Sequence, residues 1–292
     1  MKTIKVVVAV PTEGHSPAEA YDNRLLMMFH LGRFESDQRQ GHAFVAEGRG
    51  ADEIKKACPY FRAEWPVFEI YYHTAGRMFT PMARERLVDR ALMMNADYIF
   101  MIDDDMLAPQ DVLERLYRHN VDVCAALAFT RNPPHLPVLY TVREGWDPLL
   151  KQAYISNDWV RSYPKDKLVE CDAVGFGGVL IKVSAIRKMA APYFMSTCGT
   201  GEDILFCHKA KRAGARVFMD TSTKLGHLGS PIIVDEERAE RFNDPEEMQK
   251  QFGAYKRHRV FEVAHFEDTG YDGRDEANKP AVHEVVLAGG DA

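Results

Sequence analysis

Ile4 to Val10 is an unbroken apolar run, rich in valine, that stops at Pro11. A strand covered on both faces, as in a parallel sheet, has this pattern, so a first buried strand is predicted here. Residues 13–34 open polar and then place Leu25, Met28, Phe29 and Gly32 at helical spacing, which predicts a helix. Residues 35–66 have no clean period and receive no assignment. FEIYYH (68–73) predicts a second strand. TPMARERLVDRALMMN (80–95) predicts a helix with Thr80 as N-cap, Pro81 at the first helical position and Leu87, Val88, Ala91 and Leu92 on its apolar face.

YIFMI (98–102) reads as a central strand, followed by a helix from Pro109 to about His119 and a further strand at VDVCAALAF (121–129). The Pro-rich, aromatic stretch 131–166 reads as loops or a small hairpin able to wall a site. Strand character resumes at AVGFGGVLIKV (173–183), and Ser184 is expected to cap a short helix. A helix from residue 201, closed by Gly214, precedes a strand ending at Asp220, and His227 is expected in a glycine-rich loop. Beyond 231 the chain turns charged, which suggests exposed helices and a loose tail. Strands alternating with helices call for a doubly wound α/β sheet, whose ligands sit beyond the carboxyl ends of the strands.

Composition narrows the class. With 292 residues, 46% hydrophobic and 27% charged, the chain has the makeup of an ordinary globular protein. A net charge of -6 argues against a protein whose main affinity is for a phosphate backbone. The five cysteines are odd in number and lack CxxC spacing, so neither a disulfide framework nor a zinc knuckle is indicated. No stretch has the apolar length of a membrane span or a secretory leader, and a soluble, cytoplasmic protein is expected.

The chemistry concentrates where YIFMI runs into Asp103, Asp104 and Asp105. Adjacent carboxylates repel, and a hard cation such as Mn²⁺ or Mg²⁺ offsets that charge while keeping coordination positions open for phosphate oxygens. A plain turn or N-cap role needs one Asp, and here there are three. Glu202 and Asp203 open a predicted helix, where the helix dipole alone already favours acidic residues.

In order along the chain, VVVAVPT, ARERLVDRAL, NADYIFMIDDDM, CDAVGFGGVLIK, GTGEDILFCHKAKRAGARVFMD and KLGHLG resemble a family 2-like glycosyltransferase of the GT-A fold. The likeness covers residues 3 to about 230 and leaves 35–66, 131–166 and the C-terminal residues poorly matched. It implies a GT-A domain over 1–230, with a mostly parallel central sheet flanked by helices, and the charged composition beyond it predicts a helical C-terminal extension over 231–292. The implied activity is metal-dependent transfer of a sugar from a UDP- or GDP-linked donor to an acceptor hydroxyl.

By the same resemblance, Asp103, Asp105 and His227 are candidate metal ligands for Mn²⁺ or Mg²⁺, and Asp103 also approaches the ribose. Asp104 lies near the donor sugar. Pro11, Thr12, Glu13, Arg84, Gly177 and Gly178 line the nucleotide-sugar site, with Arg77 and Arg86 as competitors of Arg84. Asp203 is the expected general base of an inverting reaction, with Glu202 beside it. The acceptor stays open among a saccharide, a small molecule and a modified nucleic acid base, and Trp146 and Trp159 are aromatic candidates for stacking. Two enzyme alternatives share part of this pattern. A haloacid-dehalogenase-type phosphotransferase would carry its DxD on the first strand, whereas a nucleotidyltransferase shares the metal and nucleotide logic. A retired nucleotide-sugar-binding protein is the non-enzymatic alternative.

Overall fold

Alternate residues of the valine-rich first strand face opposite sides of a sheet, and both sides are covered. The computed structural model describes residues 2–12, 16–148, 151–197, 199–229 and 233–242. The chain runs β1 (Thr3–Thr12), α1 (Ala18–Ala46), α2 (Ala51–Ala57), β2 (Val67–Gly76), α3 (Thr80–Met93), β3 (Tyr98–Ile102) and β4 (Met106–Leu107). It continues with α4 (Val112–Tyr117), β5 (Val123–Leu127), β6 (Leu139–Asp147), β7 (Gln152–Trp159), β8 (Leu168–Cys171), β9 (Ala173–Val174) and β10 (Gly178–Lys182). It closes with α5 (Val183–Ile186), α6 (Glu202–Arg212), β11 (Val217–Lys224), β12 (Gly226–Leu228), β13 (Ile233–Val234) and α7 (Glu236–Phe242).

Seven strands form the central sheet in the order β2-β1-β3-β10-β5-β11-β8. Parallel pairing joins β2, β1 and β3, and again β5 and β11, while β10 and β8 run against their neighbours. The expected α/β class with a mostly parallel sheet flanked by helices is therefore what the chain adopts. Val7, Ala9, Ile99, Met101, Val123, Ala125, Val179 and Ile181 meet α3 and α6 on one face. Val6, Val8, Val10, Phe100, Ile102, Cys124, Ala126 and Leu180 meet α1 and α4 on the other.

Several elements differ from their predicted form. α1 extends through Ala46, beyond the predicted end at 34, and α2 occupies part of the unassigned stretch. The buried stripe of α1 includes Arg24, Asp37, Gln38 and Gly41, so hydrophobicity alone hides its period. α3 starts at Thr80 with Phe79 in the N-cap position and no side-chain cap, and α5 is preceded by Lys182 instead of a capping Ser184. The expected strand 173–183 divides into β9 and β10, and 131–166 holds the hairpin β6–β7. His227 sits in β12, not in a loop. The expected boundary near 230 falls between the paired strands β12 and β13. Val234 and Ala239 join the buried core, and residues 243–292 lie outside the described residues. Among the described residues no helix is long and apolar enough to cross a membrane.

Candidate active site

The carboxyl ends of β1, β3, β5 and β11 all point to one edge of the sheet, and the N-termini of α1, α3 and α6, which return antiparallel to them, open on that edge. The predicted carboxylates meet there. β3 ends at Ile102, and the Asp103 amide donates to the Gly177 carbonyl at 3.2 Å, which holds the start of the aspartate triplet against the entry to β10. The three side chains then take different partners.

Asp103 turns toward α3. Arg84 Nη2 donates to its Oδ1 at 2.8 Å, and Arg84 Nε lies 3.7 Å from Glu202 Oε1. Arg84 is only 3% exposed, its guanidinium lies over the Phe176 ring at 5.2 Å, and its Nε and Nη1 make no hydrogen bond. Expected to face the nucleotide, Arg84 instead sits beneath the carboxylates as a buried cation. Burial pushes the Asp103 carboxyl up to about 6, against the pull of Arg84 and helped by the neighbouring acidic charges.

Asp104 turns toward β1, where the Thr12 hydroxyl donates to Oδ2. Its carbonyl accepts from Arg24 Nη1 at 2.7 Å, and Arg24 Nη2 donates to Ser16 Oγ at 2.5 Å. Asn23 fixes the next turn through paired bonds to the Ala108 backbone at 2.8 and 3.0 Å. Pro11 is buried in β1, and Glu13 lies outside the described residues.

Asp105 turns toward β12. Antiparallel pairing of β4 with β12 sets His227 opposite Met106, and the Leu228 amide donates to the Asp105 carbonyl at 2.9 Å. His227 Nε2 lies 3.1 Å from Asp105 Oδ2, and Arg131 Nη2 lies 3.4 Å from the same oxygen. His227 Nδ1 is 2.7 Å from the Phe129 carbonyl oxygen. A carbonyl only accepts, so Nδ1 carries a hydrogen and Nε2 faces the carboxylate. Two acceptors at that distance need a proton or a cation between them. Burial alone would lower the His227 pKa, but the hydrogen bond and charge of Asp105 outweigh it and the net shift is upward. Asp105 in turn is lowered, because its bond to His227 and the charges of His227 and Arg131 outweigh its burial.

This donor set suits a divalent cation. Imidazole and carboxylate oxygen both ligate Mn²⁺, and metal-binding histidines characteristically donate their other N–H to a carbonyl or carboxylate. Among the described residues no group of three or more His, Cys, Asp and Glu is arranged to hold a metal. Asp105 and His227 would be a two-residue holder with the other positions open, the arrangement nucleotide enzymes use to admit phosphate oxygens. The carboxylate of Asp103, the third expected ligand, is bonded through Oδ1 to Arg84.

Asp203 and Glu202 form the first turn of α6. The Asp203 side chain folds back so that Oδ1 accepts from the Ile204 amide at 2.8 Å. Burial raises its carboxyl to about 6; Arg84 opposes that shift and Glu202 reinforces it. A Cβ at Gly201 would come within 2.8 Å of Asp203 Oδ1, so a side chain at 201 would displace the Asp203 carboxylate. Gly177 and Gly178 are packed against protein: a Cβ would meet Met106 Cε at 2.5 Å and Leu225 Cδ1 at 2.6 Å respectively.

Arg24, Arg131 and Glu85 escaped the sequence reading. Arg24 had a usable signal, since it falls on the same helical stripe as the buried Ala20, Met27 and Leu31. Glu85 accepts from the Tyr193 and Phe194 amides, and nothing local to α3 announces that.

No family model and no curated protein matches the chain. Among solved structures it is similar to A197 from STIV, with 16% identity over 82% of this chain and 92% of that one and a TM-score of 0.46. It is also similar to GalNAc-T7 in a structure with UDP, GalNAc and Mn²⁺, with 9% identity over 77% of this chain and 44% of that one and a TM-score of 0.40. A third similar structure is UDP-glucose pyrophosphorylase from Acinetobacter baumanii, with 10% identity over 88% and 99% of the two chains and a TM-score of 0.41. These likenesses are distant.

Proposed function

We propose that this protein transfers a glycosyl unit from a UDP- or GDP-linked sugar to an acceptor hydroxyl, with Mn²⁺ or Mg²⁺ held by Asp105 and His227 and with Asp203 as general base. The observation that carries this reading is the His227 ring, held at Nδ1 by the Phe129 carbonyl, with Nε2 3.1 Å from Asp105 Oδ2 at the carboxyl edge of the sheet. A cation bound there supplies positive charge against the charge that develops on a diphosphate leaving group.

The chain's own residues do the rest. Arg131 adds a second positive charge beside Asp105 on the side where phosphates would lie. Thr12 and Arg24 lock Asp104 and its backbone, which fixes the floor at the end of β1 where a nucleotide would enter. Asp203, with a carboxyl near 6, is largely ionised at neutral pH and still basic enough to take a proton from an attacking hydroxyl. A single displacement assisted by such a base inverts the anomeric centre.

The test is a panel of UDP- and GDP-sugars with Mn²⁺, read as donor hydrolysis and transfer by mass spectrometry, for wild type, Asp105→Ala and Asp203→Asn. Turnover by the wild type that falls by about a hundredfold or more in both variants is expected. Absence of both donor turnover and metal-dependent nucleotide binding in the wild type would sink the reading. Release of pyrophosphate from a nucleoside triphosphate and a sugar phosphate would replace it with nucleotidyl transfer.

A further inference from the structure

The hairpin β6–β7 belongs to none of the groups assigned so far, yet it packs on the helix that begins with Asp203. Pairing sets Tyr140 opposite Trp159, Val142 opposite Asn157 and Glu144 opposite Ile155, so these side chains share one face of the hairpin. That face meets α6. His208 Nε2 and Arg212 Nη1 lie 3.3 and 3.5 Å from Glu144 Oε1, which places the C-terminal half of α6 over the middle of β6. Toward its N-terminus the helix passes β9, where the Cys207 thiol donates to the Val174 carbonyl at 3.9 Å, and Val174 pairs with Leu139, the residue before Tyr140. Thr200, next to Gly201, donates to the Ile155 carbonyl at 2.7 Å and ties the start of this turn to β7. The raised Tyr140 phenol has the Asp203 charge among its causes, after burial, in agreement with that placement.

Tyr140 is buried, and Trp159 is 43% exposed. Their rings lie 5.8 Å apart at 51°. The indole thus rests against the Tyr140 ring with much of its surface open, on the strand that Thr200 ties to the turn leading into Asp203. On the other side of Asp103, Thr12 and Arg24 hold Asp104 at the end of β1, so the donor end and the tryptophan lie apart along the sheet edge.

We propose that Trp159, seated on Tyr140, is the stacking platform of an acceptor subsite, and that the acceptor is a saccharide whose pyranose ring lays its C–H face on the indole and turns a hydroxyl to Asp203. This inference rests on the proposed glycosyl transfer and names its acceptor class. A pyranose offers a flat apolar face with polar edges, the combination that an open indole beside a carboxylate accommodates. Trp146 is six residues along the same strand face, about 20 Å from Tyr140, and serves as an internal control.

The test compares Trp159→Ala, Trp159→Phe and Trp146→Ala with wild type, using methyl pyranosides and disaccharides as acceptors and glycerol and sorbitol as acyclic controls. In Trp159→Ala the KM for pyranosides is expected to rise by about ten- to fiftyfold while kcat moves little, because the stacking area is lost but the base stays. Trp159→Phe should recover part of that loss, and Trp146→Ala should match wild type. Saccharides, and not the polyols, should also quench wild-type tryptophan fluorescence, with the quench absent in Trp159→Ala. Donor hydrolysis by the wild type without acceptor reports the underlying chemistry separately. If hydrolysis is present but pyranosides neither accelerate transfer nor lose affinity in Trp159→Ala, the subsite is overturned and the transferase reading stands. If no donor is hydrolysed, both fall.

Discussion

Arg84 shows how one residue at the site decides the state of several others. Its guanidinium is buried, bonded to Asp103 and close to Glu202, with Asp203 contributing to its electrostatics. Removing the cation while leaving these carboxylates in place uncovers buried charge. Arg84→Met is therefore expected to cost about 3–5 kcal/mol in urea unfolding, with Arg84→Lys intermediate because it keeps the charge and loses the fork. Equal stability of Arg84→Met and wild type would show that the carboxylates are not held by this cation. Asp203 supplies the pH prediction. A base must be ionised to work, and its carboxyl stands near 6. Hence kcat/KM should be flat above about pH 7 and fall by about tenfold per unit below pH 6, a limb that Asp203→Asn removes along with the activity. A limb that persists unchanged in the residual activity of that variant belongs to another group.

Secondary-structure elements carry these residues to one place. The second turn of α3 serves two loops at once, through Arg84 toward the aspartates and through Glu85 toward the backbone of Tyr193 and Phe194. Phe194 in turn stacks on Phe206 of α6 at 4.8 Å. Glu85→Ala leaves two amides without their carboxylate and should cost about 1.5–3 kcal/mol. Because that loop leads into the turn carrying Glu202 and Asp203, kcat should fall with stability, and thermal denaturation with steady-state kinetics checks both. Pairing of β4 with β12 plays the same part for His227, which reaches Asp105 across 122 positions of sequence.

Across the whole molecule, β11 carries a buried acid of its own, Asp220, which is expected to set the acid limit of the fold. Asp220 is fully buried; burial alone would raise its carboxyl, but bonds from Ser222, His119 and Thr223 outweigh that and lower it. A group lowered in the folded state contributes stability that is present above its unfolded value of 3.8 and lost as pH falls through the folded value. Melting temperature should therefore drop steeply below about pH 4, and Asp220→Asn should be less stable at pH 6 yet show a shallower acid limb. An unchanged acid limb in the variant would assign it to other carboxylates. Much of the fold was legible from burial alone. Runs such as Ile4–Val10 and Tyr98–Ile102 read as strands because a strand covered on both faces needs apolar residues at every position, and the acidic turn after Ile102 marked the chemical edge. α1 was cut short because Arg24, Asp37 and Gln38 stand on its buried stripe, and the reversal of β10 left no trace because a strand buried on both faces has the same pattern in either direction. Sequence by itself determined which segments are buried and that carboxylates crowd the end of β3, since periodicity and composition are local properties of the chain. Tertiary structure alone decided that Arg84 goes to Asp103, Thr12 to Asp104 and His227 to Asp105, because those pairings depend on sheet order and register, which are set by the packing energy of all the strands together.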